Sequence, residues 1–193
     1  MSEIVAQTVY FTERGPVNTA RTLELAHARA GALNIETVLV ASTSGATGLQ
    51  AARVFGGFDL VVVSHSTGFG RPDTQKLSDE NRAAIQAAGA SVLTCQHAFG
   101  GVGRAVRRKL GTYQVDEIMA HTLRTFSEGI KVSAELCLMA ADAGLVRTDK
   151  AVVSIAGSGR GADTAVVIKP ANAQDFFDLR FLEIICMPAP DHP

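Results

Sequence analysis

Short runs of apolar residues alternate along this chain with longer segments in which apolar residues recur every three or four positions. The unbroken runs are typical of strands covered on both faces, and the spaced pattern is typical of helices that pack against them. Strands that alternate with helices favour an α/β fold, with three layers in the order α/β/α and a mostly parallel sheet. We predict strands at residues 8–11, 35–41, 59–64, 91–95, 151–156, 164–169 and 179–187.

The helical segments are bounded by residues that commonly begin or end helices. Asn18 is predicted to cap a helix that ends near Gly31, and Ser78 is predicted to open another that Gly89 ends. Residues 49–55 are predicted to be helical, and so are residues 101–145, with breaks near residues 111 and 127–129. Since residues 157–163 leave no room for a helix, the strand that follows them must return antiparallel.

Composition narrows the function classes. The chain has 193 residues, 47% of them hydrophobic and 19% charged, with a net charge of −1. These values are typical of a globular chain, and without a linker or repeat we predict a single domain over residues 1–193. The densest basic stretch is interpreted as a solvated helix face, so no nucleic-acid partner is expected. It comprises Arg104, Arg107, Arg108 and Lys109.

Targeting and metal-site patterns are also missing from the sequence. It has no run of about 20 apolar residues and no basic leader before an apolar stretch, so neither a membrane partner nor secretion is expected. Cys95, Cys137 and Cys186 are widely spaced and are interpreted as reduced thiols of a cytoplasmic protein. The histidines lack the spacing of a metal site, so no metal is expected.

A polar loop follows the apolar run of residues 38–41. Ser42, Thr43, Ser44 and Gly45 stand between a predicted strand and a helical pattern. Backbone N–H groups and the positive end of the helix dipole gather at such a point, so a phosphate or carboxylate is the expected guest. The alternative is that these residues only cap the helix.

Three further loops carry polar residues after predicted strands. Parallel strands bring such loops together at one edge of the sheet, where ligands bind at the switch point. Arg160 is suited to hold a phosphate through two oxygens. His65 and His97 are candidate catalytic residues, with ordinary polar residues at strand ends as the alternative. The expected ligand-binding residues are Ser42, Thr43, Ser44, Gly45, Thr47, Thr67, Gly68, Gly159, Arg160, Gly161, Asp163 and Thr164.

Glu135 lies in an apolar helical segment, where a buried carboxylate without a partner would be costly. The favoured interpretation is a solvent-facing stripe shared with Lys131 and Asp142. The alternative is a carboxylate aimed at the ligand cleft or at Arg160. Because residues 131–143 are apolar around much of the helix, a homo-oligomer is expected.

Two segments resemble the C-terminal domain of pyruvate kinase. Residues 36–45 resemble the strand and hydroxyl-rich loop that there hold a phosphate of an allosteric sugar bisphosphate, and residues 157–164 resemble its glycine-rich effector loop. Over nearly the whole chain, the sequence is similar to stand-alone proteins of the pyruvate kinase C-terminal-domain-like superfamily. That similarity is carried by residues 65–69, 139–144, 159–168, 176–178 and 183–188.

The resemblance implies that strands 35–41 and 151–156 are neighbours, with strands 59–64 and 91–95 on one side and strand 164–169 on the other. The switch point then lies between the loops at 42–45 and 157–163. Ala46 and Thr47 stand where the kinase loop usually offers an arginine and a serine, so a sugar bisphosphate is not expected. The sequence shows no catalytic barrel, so pyruvate kinase activity is not expected either.

We therefore expect a protein that binds a small phosphorylated ligand at the carboxyl ends of the strands. The ligand is either a phosphorylated metabolite or a nucleotide-like cofactor such as flavin mononucleotide (FMN), whose ring Phe69, Phe99 and Met139 would receive. The alternative is an enzyme acting on a phosphorylated metabolite, with His65 or His97 as general acid or base. A third possibility is a cleft that serves only regulation by a partner.

Overall fold

The structure, a computed structural model, describes residues 3–189 as one twisted sheet between two layers of helices. The strands are β1 (Val9–Phe11), β2 (Thr37–Ala41), β3 (Asp59–Ser64), β4 (Ser91–Thr94), β5 (Val152–Ala156), β6 (Thr164–Lys169) and β7 (Arg180–Pro188). The helices are α1 (Thr19–Ala32), α2 (Ala46–Val54), α3 (Asp79–Ala87), α4 (Val102–Leu110), α5 (Val115–Arg124) and α6 (Glu128–Asp142). Short 3₁₀ turns lie at Pro16–Asn18 and Ala173–Asp178.

The sheet has the strand order β1-β7-β6-β5-β2-β3-β4. β2 is parallel to both β3 and β5, and β4 is parallel to β3. β6 is antiparallel to β5 and to β7, as the short loop before it requires. The predicted α/β fold is confirmed, including the antiparallel strand and the place of β2 between β5 and β3. The strand order reverses between β2 and β5, which places the switch point there.

Helices α1, α2 and α3 cover one face of the sheet, and α6 covers the other, with α5 packed on α6. The first layer includes the buried side chains of Leu23, Ala51 and Ile85 on Val40, Val62 and Val153. The second includes Ile130, Leu136 and Met139 on Leu39, Val61 and Ile168. Each fully buried aliphatic side chain of this kind contributes about 1.5–3 kcal/mol. This packing holds the strand ends, and the loops that follow them, in place.

Helix α6 is enclosed by its own chain. Residues 129–141 are buried with the exception of Val132, and the helix packs against the sheet, α5 and the 3₁₀ turn at Ala173–Asp178. The homo-oligomer was expected because this helix is apolar around much of its circumference. Packing within one chain already explains that apolar surface. The interpretation of Glu135 as solvent-facing is wrong, because this residue is only 3% exposed.

Two helix starts differ from the prediction. Helix α2 begins at Ala46 and not at residue 49, because Gly45 has a φ of +98° and turns the loop directly into the helix. Asn18 does not cap α1 with its side chain; its amide donates instead to the carbonyl of Glu13. The first turn of α2 therefore adjoins the polar loop after β2. Among the helices in residues 3–189, none is both long and apolar enough to cross a membrane.

Candidate functional site

A cleft of about 1000 Å³ opens at the carboxyl ends of β2 and β5, where the strand order reverses. Its walls come from the loops after these two strands, from the residue that follows β3, and from the beginnings of α1, α2 and α6. The sequence-predicted residues that line it are Thr43, Ser44, Thr47, His65, Gly159, Arg160 and Gly161. The structure thus brings two of the predicted loops and one histidine together at the predicted edge of the sheet.

The loop after β2 presents a row of unoccupied backbone donors. The N–H of Ser42 donates to the carbonyl of Val63 at 2.9 Å, and the Ser42 hydroxyl accepts from the N–H of Gly48 at 3.0 Å, which fixes the loop. Within residues 3–189, no acceptor is bonded to the backbone N–H groups of residues 43–47. Consecutive free N–H groups at a helix N-terminus form a site for phosphate or carboxylate.

The cleft is electropositive. The N-termini of α1, α2 and α6 reach its walls, and each carries a partial positive charge. Lys76 and Arg160 also line it and add two full charges. Glu128 lies on the wall as well, but its carboxylate is paired with Arg124, whose Nε is 2.5 Å from Oε2. The balance favours an anionic ligand.

The glycine-rich loop after β5 is held from behind, so that Arg160 stays exposed at the cleft. Asp163 is completely buried, and its Oδ2 accepts from the N–H groups of Gly15 at 2.8 Å and Ser158 at 3.2 Å. Its Oδ1 accepts from the hydroxyl of Thr164 at 3.0 Å. Asp163 and Thr164 therefore support the loop and do not line the cleft.

Gly161 lets the same loop pack directly against the start of α1. Its φ is +68°, and a Cβ there would lie 2.4 Å from the hydroxyl of Thr19 and 2.5 Å from the Cα of Pro16. The Thr19 hydroxyl also accepts from the N–H of Ala162 at 3.0 Å. A side chain at position 161 would therefore displace the loop that carries Arg160.

His65 lines the cleft as a neutral ring. Its Nε2 lies 3.4 Å from the hydroxyl of Thr43, and its buried Nδ1 has no hydrogen-bond partner among the described residues. Burial, followed by the charges of His97 and Lys76, lowers the pKa of His65 to about 4. The ring is therefore uncharged at neutral pH in the free protein.

His97 lies behind His65 and does not line the cleft, with the two ring centroids 5.3 Å apart. Its Nδ1 is 3.4 Å from Oε2 of Glu135, and its Nε2 is 3.4 Å from the backbone nitrogen of Ser66. A carboxylate only accepts and an N–H only donates, so this pairing fits the neutral tautomer with the proton on Nδ1. Both nitrogens are engaged, and Phe69 stacks on the ring at 4.9 Å.

Glu135 anchors this network as a buried carboxylate. Its Oε1 accepts from the N–H of Phe99 at 2.9 Å, and its Oε2 accepts from the ammonium of Lys131, which is itself only 4% exposed. Burial raises the pKa of Glu135, but the hydrogen bond from His97 and the charge of Lys131 outweigh it and lower the pKa to about 2. The sequence left open the alternative of a carboxylate aimed at the ligand cleft or at Arg160. The structure does not show this arrangement, because Glu135 does not line the cleft.

Several expected residues lie elsewhere. Thr67 and Gly68 are exposed on the loop between β3 and α3, outside the cleft walls. The three side chains expected to receive a flavin ring are also absent from those walls. Phe69 packs on the two histidine rings, Phe99 is buried against α5 and α6, and Met139 is buried between α6 and the sheet. Within residues 3–189, no group of three or more His, Cys, Asp or Glu residues is placed to hold a metal.

Sequence reasoning missed Thr19 at the start of α1 and three further polar residues of the cleft, namely Gln50, Lys76 and Glu128. Gln50 lies three positions after Thr47 on α2, so helical spacing would have placed it on the same face. No local pattern points to Lys76 or Glu128. Lys76 reaches the cleft because the long loop after β3 folds back, and Glu128 reaches it because α6 begins there.

The family model for the pyruvate kinase alpha/beta domain matches residues 20–168, more than three quarters of the chain. Two similar solved structures are crystal structures of O-ureido-L-serine synthase, one of them a mutant with O-ureido-L-serine bound. They are 21% and 20% identical to this chain, with TM-scores of 0.33 and 0.32, and each match covers 72% of this chain. The matches cover 50% and 51% of those proteins, so the chain spans about half their length. By the match of its fold-forming segment, the chain belongs to the pyruvate kinase alpha/beta domain family.

Proposed function

We propose that this protein binds a small phosphorylated metabolite in the cleft at the carboxyl ends of β2 and β5. The observation that carries the proposal is the row of unoccupied backbone N–H groups at residues 43–47. A phosphate group has enough acceptor oxygens to satisfy several of these donors at once. The guanidinium of Arg160 can then donate to two phosphate oxygens in a bidentate arrangement, and the ammonium of Lys76 adds a point charge.

The walls favour a metabolite over a flavin. Among the described residues that line the cleft, His65 supplies the only aromatic ring. The phenylalanines that would have covered a flavin are already packed against other rings. FMN thus remains the weaker of the two ligand classes that the sequence suggested.

One observation favours a second candidate function, an enzyme acting on a phosphorylated metabolite. His65 stands in the cleft as a neutral imidazole, and the pair of His97 and Glu135 supports it from behind. A neutral imidazole can accept a proton from a bound substrate as a general base. Arg160 would then stabilise negative charge that develops on the substrate. In that case His65→Asn abolishes turnover and retains binding.

Native mass spectrometry of freshly purified protein is the first experiment, because it weighs any bound compound together with the chain. Calorimetry then measures the affinity for that compound and for inorganic phosphate. Ser44→Asp places a negative charge beside the free N–H groups, so it should weaken binding about tenfold or more. Arg160→Ala should weaken binding more than Arg160→Lys, because lysine keeps the charge and loses the bidentate arrangement.

Arg53→Ala is the matched control for the arginine variants. Arg53 is exposed in the last turn of α2, outside the cleft, so its loss removes the same charge without touching the ligand. An affinity that falls equally in Arg53→Ala and Arg160→Ala would contradict a specific role for Arg160. An unchanged affinity in Ser44→Asp would contradict the phosphate assignment itself.

The expectations about location and partners remain proposals. We propose a cytoplasmic protein, because Cys95, Cys137 and Cys186 are free thiols in the structure. A homo-oligomer is still proposed, although α6 no longer supports it, and analytical ultracentrifugation tests it directly. No nucleic-acid or membrane partner is proposed.

A further inference from the structure

A second cavity, of about 280 Å³, lies between α4 and α5 and shares no lining residue with the cleft. Four guanidinium groups line it, from Arg104, Arg107, Arg108 and Arg124, and we call it the arginine pocket. The sequence suggested a solvated helix face for three of these residues. In the structure, the side of α4 that carries them adjoins α5 at an open, positively charged pocket, in which Arg104 and Arg107 are half-buried and Arg108 is exposed.

The positive charge of the arginine pocket is only partly balanced. Arg107 donates from Nε to Oε1 of Glu117 at 2.7 Å, and Arg124 is committed to the carboxylate of Glu128. Within residues 3–189, neither Arg104 nor Arg108 has a carboxylate within ion-pair distance. The four guanidinium groups are thus paired with only two carboxylates, of which Glu117 alone lines the pocket, and the surplus of positive charge favours an anion.

Glu117 provides a second and independent observation. It lines the arginine pocket, yet it is only 6% exposed, and its Oε2 receives no hydrogen bond from any described residue. A buried carboxylate oxygen without a donor is costly and uncommon. Because almost none of the surface of Oε2 is accessible in the free protein, a bound O–H group would satisfy this oxygen after the side chains around it move aside. The pocket therefore favours a small molecule that carries both an anionic group and a hydrogen-bond donor.

We propose that the arginine pocket is a second ligand site, and that it takes a small phosphomonoester bearing a hydroxyl group. The phosphate contacts Arg104 and Arg108, and the hydroxyl donates to Oε2 of Glu117. Ligand pockets commonly measure about 300–1000 Å³, so a space at the lower limit restricts the ligand to a few carbons. This proposal does not depend on the function of the cleft.

The ion pair of Arg124 and Glu128 connects the two sites. Arg124 lines the arginine pocket, and Glu128 lines the cleft. An anion that draws Arg124 toward itself leaves the Glu128 carboxylate less neutralised in the cleft. Anions at the two sites are therefore expected to weaken each other's binding, and the effect must be reciprocal.

The test uses the ¹⁵N-labelled protein titrated with two probes, glycerol 3-phosphate and methyl phosphate. Both carry a phosphomonoester, but methyl phosphate has no hydroxyl group on its carbon. We expect saturable shifts at the amides of residues 104–124, with glycerol 3-phosphate binding about fivefold more tightly. Glu117→Gln should reduce this preference, because the neutral amide accepts the hydroxyl more weakly than a carboxylate does.

Arg108→Gln should weaken the binding of both probes about tenfold, because it removes a charge-assisted contact. Lys109→Gln is the matched control, since it removes the same charge from the next position, outside the pocket. Shifts confined to residues 43–47, or no saturable shift at all, would overturn the proposal. Equal losses in Arg108→Gln and Lys109→Gln would do the same, and this comparison decides the matter if Glu117→Gln does not fold.

Discussion

Glu135→Gln removes the charge that His97 and Lys131 share in the buried network behind the cleft. The pKa of Glu135 is about 2 in the folded protein, against an ordinary value of 4.5. A lowered folded pKa means that folding favours the ionised form, so the stabilisation is complete above pH 4.5 and is lost as the pH falls toward 2. Between pH 6 and pH 3 this linkage removes roughly 2 kcal/mol of the free energy of unfolding.

The assay is urea unfolding of both proteins from pH 3 to pH 7, followed by circular dichroism because the chain has no tryptophan. At neutral pH we expect the variant to be less stable by about 3 kcal/mol, because Lys131 is left buried without its partner. That difference should shrink by roughly 2 kcal/mol between pH 6 and pH 3. The double variant Lys131→Met/Glu135→Met replaces the pair with apolar side chains and serves if the single variant does not fold.

Glu24→Gln is the control for this experiment. Glu24 forms an exposed pair with Arg21, at 2.7 Å, so its loss should change the free energy of unfolding by less than about 1 kcal/mol. A stability difference between the parent protein and Glu135→Gln that is the same at pH 6 and pH 3 would refute the reasoning. It would mean that folding does not favour the ionised form of Glu135.

Two further predictions concern the walls of the cleft. The pKa of His65 is about 4 in the free protein, and a phosphate beside the ring would raise it, so binding should take up protons above pH 4. Calorimetry in two buffers of different ionisation enthalpy measures this uptake, and the same uptake in His65→Asn would show that His65 is not its source. Gly161→Ala should lower the free energy of unfolding by roughly 2 kcal/mol, because its Cβ would meet Thr19 and Pro16. Gly144→Ala is the control, since it has a similar φ of +70° with open space around it, and equal losses in thermal unfolding would contradict the packing argument.

The positions and directions of the strands could be predicted because short segments of the sequence determine them. Runs such as residues 60–63 are apolar on both faces, and only a central strand of a covered sheet places them well. The short connection between β5 and β6 imposed the antiparallel return. The start of α2 was missed by three residues, since its cause is the left-handed backbone of Gly45, which no apolar pattern reveals.

The candidate site could be predicted only as far as the strand ends determine it. Residues 43 and 44 and Arg160 follow from the fold, and so does His65. Glu135 could not be placed, because its spacing from Lys131 looks the same on an exposed helix and on one that α5 covers. His97 lies away from the cleft because the loop after β4 places it on the far side of His65. Its contacts with Phe69 and Glu135 hold it there, and these contacts cannot be predicted from the sequence.

The central claim is that the backbone N–H groups of residues 43–47 bind a phosphate, and the most direct measurement is the ¹H–¹⁵N spectrum of these amides. On titration with inorganic phosphate we predict saturable downfield shifts at residues 43–47, since each N–H gains a strong acceptor. The shifts should be lost in Ser44→Asp and retained in Arg53→Ala. Amides at 43–47 that stay unchanged at saturating phosphate would contradict the claim.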